Sequence, residues 1–231
     1  MPEVRLSVAV MHAPWSDRGP WVQALRDEIA PHVGKFEVVT DDQREGVWAT
    51  ARRAWQSHSN RATHICVLQD DAQVVDGFID HVTRALAVKH DVPVGLCSSL
   101  QARSQKILDE GCHWLPVMGF YWGIAQILPV WYVRPWLRWC DKTVDPSSTY
   151  DDVRLALYLL KHGVPMWLTV PSLATSLGDR HSLIGHSVDV AQRVHFTRAL
   201  PRIDWTRGAG RLPARINTYE NVAKRCRVQF L

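Results

Sequence analysis

Residues 63–72 read THICVLQDDA, an apolar run that opens directly onto two adjacent carboxylates, Asp70 and Asp71. His64 to Leu68 is short, rich in apolar and β-branched side chains and nearly free of polar atoms, which predicts a central strand covered on both faces. The acids then emerge at its carboxyl end, the edge where open α/β sheets bind ligands. Two neighbouring carboxylates repel unless a positive group neutralises them, so a cation is expected there. The competing reading is a plain helix cap, with Asp71 capping a helix predicted from Val74 to His90.

Working outward, Val4 to Met11 suits a first strand, followed by a loop from His12 to Arg18. Trp21, Leu25, Ile29 and Val33 recur at steps of four and predict a helix over Pro20–Val33. Phe36 to Thr40 is a second strand, again ending in acids, Asp41 and Asp42, before a helix from Gly46 to about Ser59. With the strand just described, the helix from Val74 and a strand from Val92 to Ser98, these give β-α-β-α-β-α-β. That order predicts an α/β fold, a Rossmann-like, mostly parallel central sheet flanked by helices and joined by right-handed crossovers.

The second half is less regular. Arg134–Lys142 suits a short helix, and Asp151–His162 is an amphipathic helix opened by acids and closed by Gly163. Pro165 to Val170 is a further strand, and 171–186 is a loop rich in Ser, Gly and His. Leu115–Val133 approaches membrane-spanning length, about 20 residues. Two prolines, two glycines and a glutamine interrupt it, so a buried turn-strand-helix passage lining a site is expected instead.

Composition sets the class. The 231 residues are 46% hydrophobic and 22% charged, as in globular domains, and the five cysteines show no metal-ligand spacing. Reduced thiols, no secretory signal and a cytoplasmic protein are expected. Eleven tryptophans suit both a core and sugar or base platforms. The net charge of +4 is uneven, because residues 187–231 hold nine Lys/Arg against three Asp/Glu. We therefore expect a domain over 1–186 and a basic extension over 187–231, packed on it or trailing it.

VLQDDA at 67–72, GFYWGIAQILP at 119–129, YDDVRLALY at 150–158 and PSL at 171–173 followed by DRHSLIGH at 179–186 together resemble the nucleotide-sugar-dependent glycosyltransferases of the GT-A fold, especially small bacterial and bacteriophage-type members. The resemblance covers residues 4–186. It implies a divalent cation, Mn²⁺ or Mg²⁺, bridging the diphosphate of a nucleotide sugar, a UDP-sugar foremost. Asp71 would be the metal ligand, with His181 or His186 completing the site. Asp70 would face the ribose or donor sugar, or bind the metal through water, and Gln69 stands where many relatives carry an acid. Arg18, Asp41, Trp48, Arg52, Tyr121 and Trp122 would meet the donor. Asp152, or Asp151, would be the general base of an inverting transfer.

The acceptor stays open in the sequence. Arg193, Arg198, Arg202, Arg207 and Arg211 would suit a polyanion such as phage DNA carrying a hydroxymethylated base, read inside a host cytoplasm. A glycan or protein hydroxyl is the alternative, and no membrane partner is expected. Two readings from other classes are a nucleotidyltransferase, which would want a phosphate loop or further acids near the first pair, and a silent nucleic-acid-binding module, which leaves the acids at 70, 71, 151 and 152 without a purpose.

Overall fold

The computed structural model describes residues 3–119, 122–148, 150–176 and 196–225. Its first segment follows the expected alternation: β1 (Leu6–His12), α1 (Gly19–Ile29), β2 (Lys35–Thr40), α2 (Val47–Gln56) and β3 (His64–Gln69). β1 lies between β2 and β3 and runs parallel to both. Strand side chains alternate between faces, and the core divides accordingly. Val8, Val10, Cys66 and Leu68 pack with α1 on one face. Ala9, Met11, Ile65 and Val67 pack with α2 on the other.

The helices take opposite faces for a topological reason. The crossover from β1 to β2 steps one way along the sheet and the crossover from β2 to β3 steps back past β1, so two right-handed connections must cover opposite sides. The carboxyl ends of β1 and β3 lie side by side, on the edge where open α/β sheets bind ligands.

Beyond β3 the sequence reading needs correcting. Ala72–Val74 forms a short strand, β4, and the next helix, α3, spans Phe78–Val88. Gly77 precedes it in the left-handed region at φ 67, so Asp71 caps nothing. The strand expected over 92–98 pairs only at Val94–Gly95 (β5), and a helix that was not read, α4, covers Gln101–Asp109. The passage over 115–133 holds two strands, β6 (Trp114–Met118) and β7 (Ala125–Pro129), with α5 following over Val130–Thr143. β7 inserts antiparallel between β3 and β5, so β5 never touches β3.

The chain continues through α6 (Asp151–His162), β8 (Met166–Thr169) and β9 (Ala174–Ser176), and later β10 (Ala214–Arg215) and α7 (Tyr219–Arg225). The main sheet has eight strands in the order β10-β6-β8-β5-β7-β3-β1-β2, and β9 pairs with β4 in a second, two-stranded sheet. Parallel neighbours hold a bare majority in the main sheet, since β7 runs against β3 and β5 and β6 runs against β8. Residues 196–225 are built into this body. Trp205 is 2% exposed, its carbonyl accepts a hydrogen bond from Trp114 Nε1 at 2.7 Å, and Val222 and Ala223 of α7 join the core that contains α6. No helix among the described residues is long and apolar enough to cross a membrane.

Candidate active site

The pairing register brings chemistry together at the carboxyl ends of β1 and β3. Met11 lies opposite Gln69, so the next residues along each strand, His12 and Asp70, are brought side by side. Asp70 Oδ2 accepts hydrogen bonds from His12 Nδ1 at 3.0 Å and from the backbone N–H of Ala13 at 3.0 Å. Its Oδ1 accepts from Arg18 Nη1 at 2.7 Å. Arg18 and Asp70 are each 5% exposed. The positive charge that the sequence demanded beside the two acids is thus, in part, supplied by the loop after β1.

Asp71 is held differently. Its Oδ2 accepts from Ser176 Oγ at 3.0 Å, because β9 pairs with β4 and sets Ser176 opposite Ala72. Arg18 Nη2 stands 4.0 Å from the same oxygen. Asp71 Oδ1 is buried with no hydrogen-bond partner among the described residues. Burial raises the Asp71 carboxyl above its ordinary value, and Arg18 and Ser176 pull it part of the way back. A buried carboxylate oxygen without a donor is costly. A divalent cation is a group that Asp71 Oδ1 could hold, with a ligand's oxygens completing the shell. Among the described residues no three His, Cys, Asp or Glu side chains gather into a metal-binding group. His181 and His186 lie outside the described residues.

A second acid pair is linked to this edge through one loop. Residues 122–124 lead into β7, and the Ile124 carbonyl accepts the Gln69 N–H at 2.9 Å, which ties this loop to the end of β3. One residue earlier, Gly123 lies against Asp152, and a Cβ at Gly123 would come within 2.8 Å of Asp152 Cβ. Only a glycine admits the carboxylate so close to the loop. Gly119, at φ 144, makes room in the same way for Ile216 and Asn217. Both glycines of this passage therefore accommodate protein.

Asp151 and Asp152 open α6, and burial sets their chemistry. Asp151 is 4% exposed and its Oδ2 accepts a 3.4 Å hydrogen bond from Trp55 Nε1; burial raises its carboxyl. Asp152 is pushed up to about 7, first by burial and then by the neighbouring Asp151 charge. Its Oδ1 accepts from the Val153 N–H at 2.7 Å. The turn before the pair is fixed by Arg154, which donates to the carbonyls of Asp145 and Ser148 at 2.8 and 2.6 Å and stacks 4.1 Å over the Trp48 ring.

Other residues read from the sequence have occupations elsewhere. Trp48 lies between Arg154 and the edge of Trp136, whose ring is 6.0 Å away. Arg52 grips Asp141 of α5 through both terminal nitrogens. Asp41 is 6% exposed and accepts from the N–H groups of Glu45 and Gly46 at 2.7 and 2.9 Å, which closes the loop before α2. Trp122 is half-buried beside Gly123. Tyr121 and Arg193 lie outside the described residues. Of the remaining arginines, Arg198 pairs with Asp76 at 2.9 Å and Glu28 at 3.5 Å, Arg211 pairs with Glu110, and Arg202 and Arg207 are exposed.

His12 and Ser176 contact the two acids without having been read as functional, and Trp15, 44% exposed with the Arg44 guanidinium 5.1 Å over its ring, follows His12 in the same loop. For His12 a signal existed, since it follows the apolar run SVAVM as Asp70 follows HICVL with one residue between. The contact between Ser176 and Asp71 depends on a pairing across about 100 residues of chain, for which the sequence has no local cue.

No protein-family model matches the chain, and no curated protein does. Among solved structures the fold is similar to that of a mutant Drosophila β-1,4-galactosyltransferase 7 in complex with manganese, UDP-Gal and xylobiose. The likeness has a TM-score of 0.47 at 9% identity, over 84% of this chain and 82% of that one.

Proposed function

We propose that the chain is a metal-assisted glycosyltransferase of the GT-A type, moving a sugar from a nucleoside-diphosphate donor, a UDP-sugar foremost, to a hydroxyl acceptor. One observation carries the reading: two acid pairs of different character border one loop. The pair at the end of β3 is braced by Arg18 and keeps a buried carboxylate oxygen, Asp71 Oδ1, without a donor. The pair at the start of α6 keeps a carboxyl, Asp152, poised near neutrality.

A divalent cation held by Asp71, when bound, would supply positive charge for the departing diphosphate. Arg18 adds a fixed guanidinium on the same side, which stabilises developing negative charge without delivering a proton. Across residues 122–124, Asp152 would accept the proton of the acceptor hydroxyl as its oxygen attacks the anomeric carbon. A base poised near the working pH performs this step best. Asp151, engaged by Trp55 and buried, is not placed to serve as a second nucleophile, and this supports inversion.

The narrower proposal for the acceptor is DNA carrying a hydroxymethylated base, with exposed Arg202 and Arg207 on phosphates. The ion pairs of Arg198 and Arg211 leave fewer free cations than the sequence suggested, which favours a glycan or protein hydroxyl. The four described cysteines are unpaired thiols, which supports a reducing, cytoplasmic setting.

Incubation with Mn²⁺ and a panel of nucleotide sugars, followed by release of nucleoside diphosphate with and without each acceptor class, tests the proposal. Asp71→Asn is expected to cut release at least about 100-fold, the scale on which loss of one transition-state charge contact is felt. Release that persists at the wild-type rate in Asp71→Asn would remove the metal site from that position.

A further inference from the structure

We propose that His12 reads a hydroxyl of the bound donor through Nε2, and that Asp70 acts on the ligand only through this histidine. The inference rests on the glycosyltransferase reading above and deepens it.

Asp70 has little left to offer a ligand directly. Three hydrogen bonds converge on its two oxygens, from His12, Ala13 and Arg18, and its side chain is 6% exposed. His12 Nδ1, the Ala13 N–H and Arg18 Nη1 all face these two oxygens. With Nδ1 turned to the carboxylate, Nε2 is the polar atom of the ring left to meet a ligand.

Nε2 is the unsatisfied end of the network. His12 Nε2 has no hydrogen-bond partner among the described residues and is not among the buried polar atoms that lack one. The ring is 12% exposed, enough for one contact. Its place is fixed from behind by strand pairing with Thr40 and by the His12 carbonyl, which accepts the Asp41 N–H at 3.0 Å. A ring nitrogen held this rigidly, beside the Arg18 guanidinium that shares Asp70 with it, matches a sugar hydroxyl. A nucleotide sugar supplies such hydroxyls from two sources, the ribose and the transferred sugar.

Two variants separate the roles of the ring nitrogens. His12→Asn keeps an amide N–H near the Nδ1 position for Asp70 and removes the outer nitrogen. His12→Gln carries an amide oxygen out toward the Nε2 position. Affinities would be measured by calorimetry in Mn²⁺ for UDP, GDP, ADP and CDP, for the 2′- and 3′-deoxy forms of whichever binds, and for its glucose conjugate. His12→Asn is expected to weaken binding about tenfold, the scale of one net hydrogen bond, and His12→Gln to recover part of the loss.

If the ribose is the source, the penalty appears with the plain diphosphate and vanishes with one deoxy form. If the transferred sugar is the source, it appears only with the glucose conjugate. His12→Asn binding every probe as the wild type does would overturn the assignment while leaving the glycosyltransferase reading intact. A wild-type protein that binds no nucleotide in the panel ends both. Should the Asn variant fail to fold, the wild type still decides: equal affinity for the ribo and both deoxy forms, with no gain from the glucose conjugate, rejects the proposal.

Discussion

Asp71 and Asp152 are both raised by burial, yet they suit different work. Asp71 has Arg18 and Ser176 beside it to hold its charge, whereas Asp152 has another carboxylate, and its carboxyl reaches about 7. A carboxyl with that value is protonated below neutrality and ionised above it, so a base at this position gains activity as pH rises through about 7. The rate of transfer is expected to climb with that midpoint and to level off above it, and Asp152→Asn to abolish the rise along with most of the activity. Single-turnover rates from pH 5.5 to 8.5 check this. Stability carries the opposite sign. A folded-state value above that of the unfolded chain favours the fold while Asp152 is protonated, and the advantage is lost as pH rises through the folded value. Asp152→Asn is therefore expected to melt higher than the wild type at pH 8.5 and alike at pH 3.5, where both carry a neutral side chain there.

At the scale of elements, the position of Asp152 depends on the loop between β6 and β7. Gly123→Ala would press a methyl to 2.8 Å from Asp152 Cβ, and one of the two backbones must shift. The expected result is at least a tenfold loss of transfer with nucleotide affinity retained, at a stability cost of about 1–3 kcal/mol typical of overpacking. Separate measurements of donor binding, turnover and thermal unfolding distinguish this from general damage. The same loop marks where the sequence ceased to be readable. HICVL was legible as a strand because a fully covered strand must be apolar throughout, and DDVRLALYLLKH as a helix because its acids and closing Gly163 punctuate it. AQILP is as apolar as HICVL, but Gly123 and Pro129 bound it like a turn, and nothing local says that it runs against β3. Asp70 and Asp71 could be located from strand order alone. His12 and Ser176 required the register, which belongs to pairs of strands and not to either one.

On the scale of the whole molecule, the basic C-terminal stretch is bound into the core through Trp205, β10 and α7. Trp205→Ala is expected to destabilise the protein by about 3–5 kcal/mol, the usual cost of emptying a buried tryptophan site, and to lower the melting temperature clearly. An unchanged melting temperature would show the segment to be a dispensable appendage. The same assembly makes the candidate site a joint product of distant stretches, with Arg18, Asp70 and Asp71 from the first third of the chain and Gly123, Asp152 and Ser176 from the rest.

The antiparallel insertion of β7 has a consequence for synthesis. Until residue 129 has left the ribosome, the strand at 64–69 has a partner on one side only, and its other edge presents bare peptide groups flanked by Ile65, Cys66, Val67 and Leu68. Such an edge invites pairing with any extended neighbour. A nascent chain of this protein thus spends the translation of some sixty residues with its most water-averse ribbon half-zipped, and that interval is when a holding chaperone would matter most to its yield.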